Sequence, residues 1–115
     1  MWIIEYYELP SGSCPTKEFL DNLHKTEELP YAEYELHLLT EFGNKLSRPH
    51  AAPLRDKIYE LRIRVKHKQY RLLYFFFYQD KIVISHGIYK PDKKVDPAEI
   101  NKAIRHKSDY FARHE

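Results

Sequence analysis

The chain contains a single cysteine, Cys14, and only three glycines in 115 residues. One cysteine cannot form an internal disulfide, and no charged start followed by an apolar run opens the sequence, so a reducing, cytoplasmic setting is expected. Long apolar runs are also missing. The longest, Leu72 to Tyr78, is far short of the ~20 residues that cross a bilayer, which removes the membrane as a partner. No glycine-rich phosphate cradle and no internal repeat occurs. The seven histidines, at positions 24, 37, 50, 67, 86, 106 and 114, show no ligand spacing, and one thiol cannot complete a thiolate site, so neither a metal nor a cofactor is expected. His67 reads as a turn residue, and His106 and His114 as solvated positions on the last helix.

What is present describes a folded chain. A hydrophobic fraction of 43% with 15% aromatics is too rich for a disordered segment, and the length suits one core, so residues 1–115 are expected to form a single domain. The charge is divided unevenly. Up to Ser47 there are three Lys/Arg against nine Asp/Glu; from Arg48 onward there are 16 against eight. A balance of −6 followed by one of +8 gives the C-terminal half a field suited to a polyanion.

Trp2 to Glu8 is aromatic and β-branched and is followed by Pro10, Ser11 and Gly12, which reads as a strand and a turn. A helix is expected from near Ser13, with Phe19, Leu20 and Leu23 on one side. A second starts at Pro30 and ends at Gly43, with Ala32, Leu36 and Leu39 on its stripe and Leu38 and Phe42 widening it. Lys45 to Asp56 reads as a loop. From Ile58 the period becomes two: Tyr59, Leu61, Ile63 and Val65 alternate with Glu60, Arg62, Arg64 and Lys66. Two further strands follow, separated by turns at His67–Lys68 and Gln79–Asp80. Asp96, Pro97 and Glu99 then open a last helix, with Ile100, Ala103, Ile104 and Phe111 as its apolar side. The expected fold class is α+β, a small antiparallel-rich sheet in the order β-α-α-β-β-β-α with an αα-hairpin packed on one face.

With two-residue turns, Arg64 is expected opposite Arg71 and Leu73 opposite His86. Glu60, Arg62, Arg64, Arg71 and His86 then share one face, and Leu61, Ile63, Val65, Tyr70, Leu72, Tyr74, Phe76 and Val83 share the other, beneath the acidic helices. Leu73, Phe75 and Phe77 fall on the basic face and require cover from the last helix, the first strand or a partner. Like charges opposite each other are destabilising unless an anion sits between them; that anion is either a ligand or Glu60 bridging the arginines.

Four segments in register carry a family signature: Leu54-Arg55-Asp56-Lys57-Ile58-Tyr59-Glu60-Leu61-Arg62, Tyr70-Arg71-Leu72-Leu73-Tyr74-Phe75, His86-Gly87-Ile88-Tyr89-Lys90, and Pro97-Ala98-Glu99-Ile100 followed by Ala103. From Leu54 to Ala103 the chain resembles the phage-derived, HigB-like branch of the RelE toxin superfamily. The resemblance implies a RelE-like fold and a ribosome-dependent endoribonuclease that cuts translated mRNA, with a cognate antitoxin, expected to carry a helix-turn-helix domain, as its partner. By position it implies catalytic roles for Arg62, Arg71 and Lys90, and it matches Glu60 to the acid of the glutamate-leucine-arginine motif. The chain departs from the family pattern after the last strand. Relatives show two adjacent lysines and a threonine there, whereas Lys90 is followed by Pro91 and Asp92, with Lys93 and Lys94 downstream.

Metal-independent RNA cleavage needs a proton taken from the 2′-hydroxyl, charge neutralised at phosphorus, and a proton given to the leaving oxygen. Arg62 and Arg71 suit the second task because guanidinium stays charged and matches phosphate oxygens. Glu60, His86 and a lysine such as Lys90 are alternatives for the base. Arg64, Lys66, Lys68, Lys93 and Lys94 are expected to contact RNA, with Tyr89 stacking on a base. The second reading is a non-catalytic RNA- or protein-binding module of the same fold, and the third a structural subunit.

Overall fold

Alternation of apolar and charged residues after Ile58 makes a strand with two unlike faces, and each face has found its own helical cover. The computed structural model describes residues 1–89 and 94–115. Lys90, Pro91, Asp92 and Lys93, and the expectations placed on them, lie outside the described residues. The elements are β1 (Ile3–Tyr6), α1 (Pro15–Lys25), α2 (Leu29–Phe42), a 3-10 turn at Gly43–Lys45, β2 (Ala51–Pro53), β3 (Tyr59–Val65), β4 (Lys68–Phe77), β5 (Lys81–Tyr89) and α3 (Pro97–His114). The expected α+β order is present with one strand added: β2 lies in the segment read as a loop, where three residues ending in Pro53 are too few to show a period. The sheet runs β1-β5-β4-β3-β2, with β1 parallel to β5 and the other pairs antiparallel. Among the described residues, no helix is long and apolar enough to cross a membrane.

The αα-hairpin covers one face. Phe19, Leu23, Ala32 and Leu39 pack there against Leu61, Ile63, Val65, Tyr70, Leu72, Tyr74, Ile82 and Ile84. At about 1.5–3 kcal/mol for each fully buried large side chain, this layer holds the acidic helices to the sheet. Gly87 fixes the approach of α1, because a Cβ at that position would overlap the Phe19 ring. Helix α1 starts at Pro15, close to the expected Ser13, after Cys14, which makes no side-chain cap. One helix expectation needs correction: Phe42 is 52% exposed instead of widening the buried stripe, because it lies on a flank of α2 turned away from Ala32 and Leu39.

Helix α3 covers the other face. Leu73, Phe75 and Phe77, left among charged neighbours by the alternation, pack with Ile58, Val83, Ile100, Ala103 and Tyr110, and Ile104 and Phe111 lie at the margin. Asp96 caps α3, its Oδ1 accepting from the Ala98 N–H at 2.9 Å, and Pro97 follows. His106 is 8% exposed, which overturns the expectation that it is solvated. It falls on the Ile100–Ala103–Tyr110 stripe and is carried under the helix with them.

Both turns differ from the expected ones. The first uses Lys66 and His67, with Lys66 at φ 55°, so β4 begins one residue earlier than expected and the pairing moves by two: Arg62, not Arg64, stands opposite Arg71, and Arg64 faces Gln69. A slip of two keeps every side chain on its face. The second turn spans Tyr78, Gln79 and Asp80, with Tyr78 at φ 56°, and pairs Phe77 with Lys81. That is a slip of one, and it moves Val83 opposite Phe75 on the α3 face instead of the hairpin face. A β-bulge between Tyr74–Ile84 and Leu73–His86 restores the expected pairing beyond it, so Arg71 faces Ile88.

Candidate active site

Three charged side chains meet where β3 and β4 pair. Arg62 and Arg71 are cross-strand partners, and Glu60, two residues from Arg62 on the same face, reaches between them. Arg71 Nε donates to Glu60 Oε1 at 2.9 Å. Arg62 Nε donates to Glu60 Oε2 at 3.1 Å, and Arg62 Nη2 lies 3.0 Å from the same oxygen. The carboxylate thus offsets the repulsion that two facing guanidinium groups would otherwise suffer, and the trio carries a net charge of +1. Glu60 is 5% and Arg71 6% exposed, while Arg62 is partly open to solvent.

Arg71 Nη1 is buried and has no hydrogen-bond partner among the described residues. Leaving such a donor unpaired costs about 1–3 kcal/mol, and more for a charged group, so its position favours an anion. Arg62 makes its bonds to Glu60 through Nε and Nη2, which leaves Nη1 unengaged by the described residues. Two guanidinium groups anchored by Glu60, with Nη donors remaining on each, can hold an oxyanion such as a phosphodiester.

His86 lies on the same face but is 2% exposed beneath α3. The bulge turns two consecutive residues, Ser85 and His86, toward α3, and a buried chain of hydrogen bonds follows. His86 Nε2 lies 2.9 Å from Glu99 Oε1, Ser85 Oγ is 2.8 Å from His86 Nδ1, and the same Oγ is 2.8 Å from His106 Nδ1. Burial pushes the His86 pKa down, with Lys102 adding to the effect against the pull of Glu99. Burial likewise brings His106 to about 4, assisted by the nearby His86 and Lys102. Both rings are therefore neutral near pH 7, and the proton positions follow. His86 donates from Nε2 to Glu99, accepts the Ser85 hydroxyl at Nδ1, and leaves Ser85 Oγ to accept from His106 Nδ1–H. Tyr7 stacks on His106 with centroids 4.2 Å apart and donates to Asp109 at 2.6 Å.

The remaining residues singled out in the sequence divide between the two faces. Arg64 is exposed on the face of Arg62, and Lys66 is exposed in the turn beside it. Lys68 faces the other way, opposite Val65, and pairs with Glu28 at 3.1 Å. Tyr89 is also on the hairpin face: it pairs with Tyr70, packs on Phe19 with centroids 4.6 Å apart, and accepts from Asn22 Nδ2 at 3.1 Å. Lys94 is exposed just before α3, and Lys90 and Lys93 lie outside the described residues. The structure thus brings together Glu60, Arg62 and Arg71, with Arg64 and Lys66 beyond them, and does not bring Lys68 or Tyr89 to that face.

Ser85, Glu99 and His106 escaped sequence reasoning as a group. The spacing of seven between Glu99 and His106 places them on one side of a helix and was the available signal; nothing local announces the bulge that turns Ser85 toward them. Among the described residues, no three His, Cys, Asp or Glu side chains gather into a group able to hold a metal ion.

No curated protein matches the chain. The sequence model described as phage-derived protein Gp49-like (DUF891) matches residues 18–108, which include most of α1, all of α2, the basic cluster and most of α3. The chain therefore belongs to the phage-derived Gp49-like family, a family of RelE/HigB-type toxin-like proteins, and so stands at family level among the toxins of toxin–antitoxin pairs.

Proposed function

We propose that the chain acts as one toxin domain in the cytoplasm, a metal-independent endoribonuclease that cuts mRNA during translation on the ribosome and is silenced by an antitoxin carrying a helix-turn-helix domain. The observation that carries this reading is the pairing of Arg62 with Arg71 around Glu60, with the buried Arg71 Nη1 left unpartnered among the described residues. In the reaction, the substrate 2′-hydroxyl loses its proton and attacks phosphorus, the bond to the 5′-oxygen breaks, and that oxygen gains a proton. Arg62 and Arg71 neutralise the charge that builds on the phosphorane oxygens between those events. Arg64 and Lys66 extend the positive field along the strand toward the rest of the RNA backbone.

The test is cleavage of an mRNA positioned on programmed ribosomes, read by primer extension. Arg71→Ala should lower the cleavage rate by roughly a hundred- to a thousandfold, the loss typical of one electrostatic donor, while the circular dichroism spectrum is kept. Intact mRNA with well-folded wild-type protein would refute the enzymatic reading.

One observation favours the second reading, a non-catalytic module that binds RNA through the same residues. Both Glu60 oxygens are engaged by arginines, and His86 is sealed under α3 with both ring nitrogens occupied. Both groups are buried, and neither presents its acceptor openly to a ligand. That reading expects salt-sensitive RNA binding by the wild type with no cut at any pH.

A further inference from the structure

We propose that Glu60 is a positioning residue: its carboxylate clamps the Nε edges of Arg62 and Arg71 so that the two guanidinium groups present their remaining Nη donors to one phosphate. The inference deepens the ribonuclease reading, on which its cleavage readouts rest, and assigns Glu60 neither the role of base nor that of an anion which the substrate displaces.

Three observations converge on it. Glu60 divides its oxygens, Oε1 accepting from Arg71 and Oε2 from Arg62, so each arginine is held by a separate acceptor. The bonds use inner edges only: Nε of Arg71, and Nε with Nη2 of Arg62. Arg71 keeps both Nη1 and Nη2 outside these bonds, and Nη1 is buried without a partner among the described residues. A place-holder for phosphate would sit on the donors that phosphate uses. Glu60 sits elsewhere, and the unmet donor remains for the ligand. A general base works from a carboxylate open to the 2′-hydroxyl, whereas Glu60 is buried and each of its oxygens is held by an arginine. Free guanidinium side chains lose rotamer entropy when they grip an anion, and a clamp already formed in the empty site has met that cost beforehand.

Glu60→Gln keeps the shape but offers one acceptor oxygen and turns an amide N–H toward the second guanidinium, releasing one arginine. Glu60→Asp keeps the charge and shortens the reach by one methylene, so it should hold one guanidinium well and the other poorly. The probes are inorganic phosphate, titrated by NMR, and mRNA on programmed ribosomes. We expect Glu60→Gln to weaken phosphate binding and slow cleavage by roughly ten- to a hundredfold, with Glu60→Asp between it and the wild type and the pH profile of the residual cleavage unchanged. Arginine Nε–H exchange in the absence of any ligand reads the clamp directly and should quicken for at least one of Arg62 and Arg71 in Glu60→Gln.

Tighter phosphate binding by Glu60→Gln would mark a displaced counter-ion, and loss of the acidic limb of the pH profile with phosphate binding intact would mark a base; either overturns the proposal. So would a wild type that takes up no phosphate, or a Glu60→Gln protein that unfolds while Glu60→Asp matches the wild type in phosphate binding, cleavage and Nε–H exchange. A wild type that binds phosphate but never cuts RNA, with Glu60→Gln binding phosphate more weakly, would remove the ribonuclease reading and leave the clamp standing.

Discussion

Arg62 and Arg71 face each other directly across β3 and β4 on the same side of the sheet, a placement that would be repulsive without the carboxylate between them. The stability of this part of the sheet should accordingly depend more on the one acid than on either base. Glu60→Leu strands two facing cations, one of them buried, and should cost about 3–5 kcal/mol. Arg71→Met leaves Glu60 still paired with Arg62 and should cost about 1–3 kcal/mol. Urea denaturation at pH 7 orders the two; an equal or reversed order would contradict the pairing.

The imidazole of His106 predicts a pH dependence. Its pKa in the fold lies near 4, against 6.5 for the free side chain, so between those values the unfolded chain binds the proton that the folded one refuses. Stability should be complete above about pH 6.5 and fall as the pH drops toward 4, by about 3 kcal/mol at most from this group. His86, displaced in the same direction, adds to the slope. His106→Phe should flatten the profile in unfolding experiments at pH 7.5, 5.5 and 4 (each about the stated pH).

Ser85 serves two histidines with one hydroxyl. Ser85→Ala leaves an imidazole nitrogen on each without its partner and should cost about 1–3 kcal/mol, lowering the melting temperature by several degrees. An unchanged melting curve would show that the buried chain contributes nothing to the docking of α3.

Gly87→Ala forces a methyl group into the Phe19 ring and should destabilise by about 1–3 kcal/mol. Phe19→Leu introduced beside it should recover part of the loss, since the conflict is between those two side chains. Differential scanning calorimetry of both single variants and the pair measures the coupling.

Opposite faces predict opposite salt responses. Arg64→Ala should reduce the steepness with which RNA binding falls with salt, by roughly 0.7 in the logarithmic slope for a single-stranded contact. Lys68→Ala should leave that slope alone, because Lys68 is on the opposite face of the sheet and paired with Glu28. Filter binding over a range of salt concentrations separates the two.

The strand carrying Glu60, Arg62 and Arg71's partner positions was legible because alternation assigns a face to each residue before any turn is known. The wrong turn at Lys66 moved the register by an even number, which is why the arginines still met on one side. Val83 shows the limit: its turn slipped by one, and an odd slip reverses faces. His106 departs from the solvated position expected of a helical histidine because its place in the stripe with Ile100, Ala103 and Tyr110 carries more weight than its polarity when a bonding partner waits below. Strand β2 was invisible for a different reason, since three residues acquire strand character only from the β3 edge they pair with.

The irregularity at Ser85 acts as a parity device. Straighten the strand there while keeping its length and everything after Ile84 trades sides: the imidazole of His86 would be driven among the leucines under the αα-hairpin, and Tyr89 would swing to the arginine side. The chain can tolerate many exchanges of residue type along this strand, but its length is a discrete quantity: deleting Ser85 would leave regular alternation to carry Ile84, His86 and Tyr89 to the faces they already hold, whereas one residue added there would reverse them.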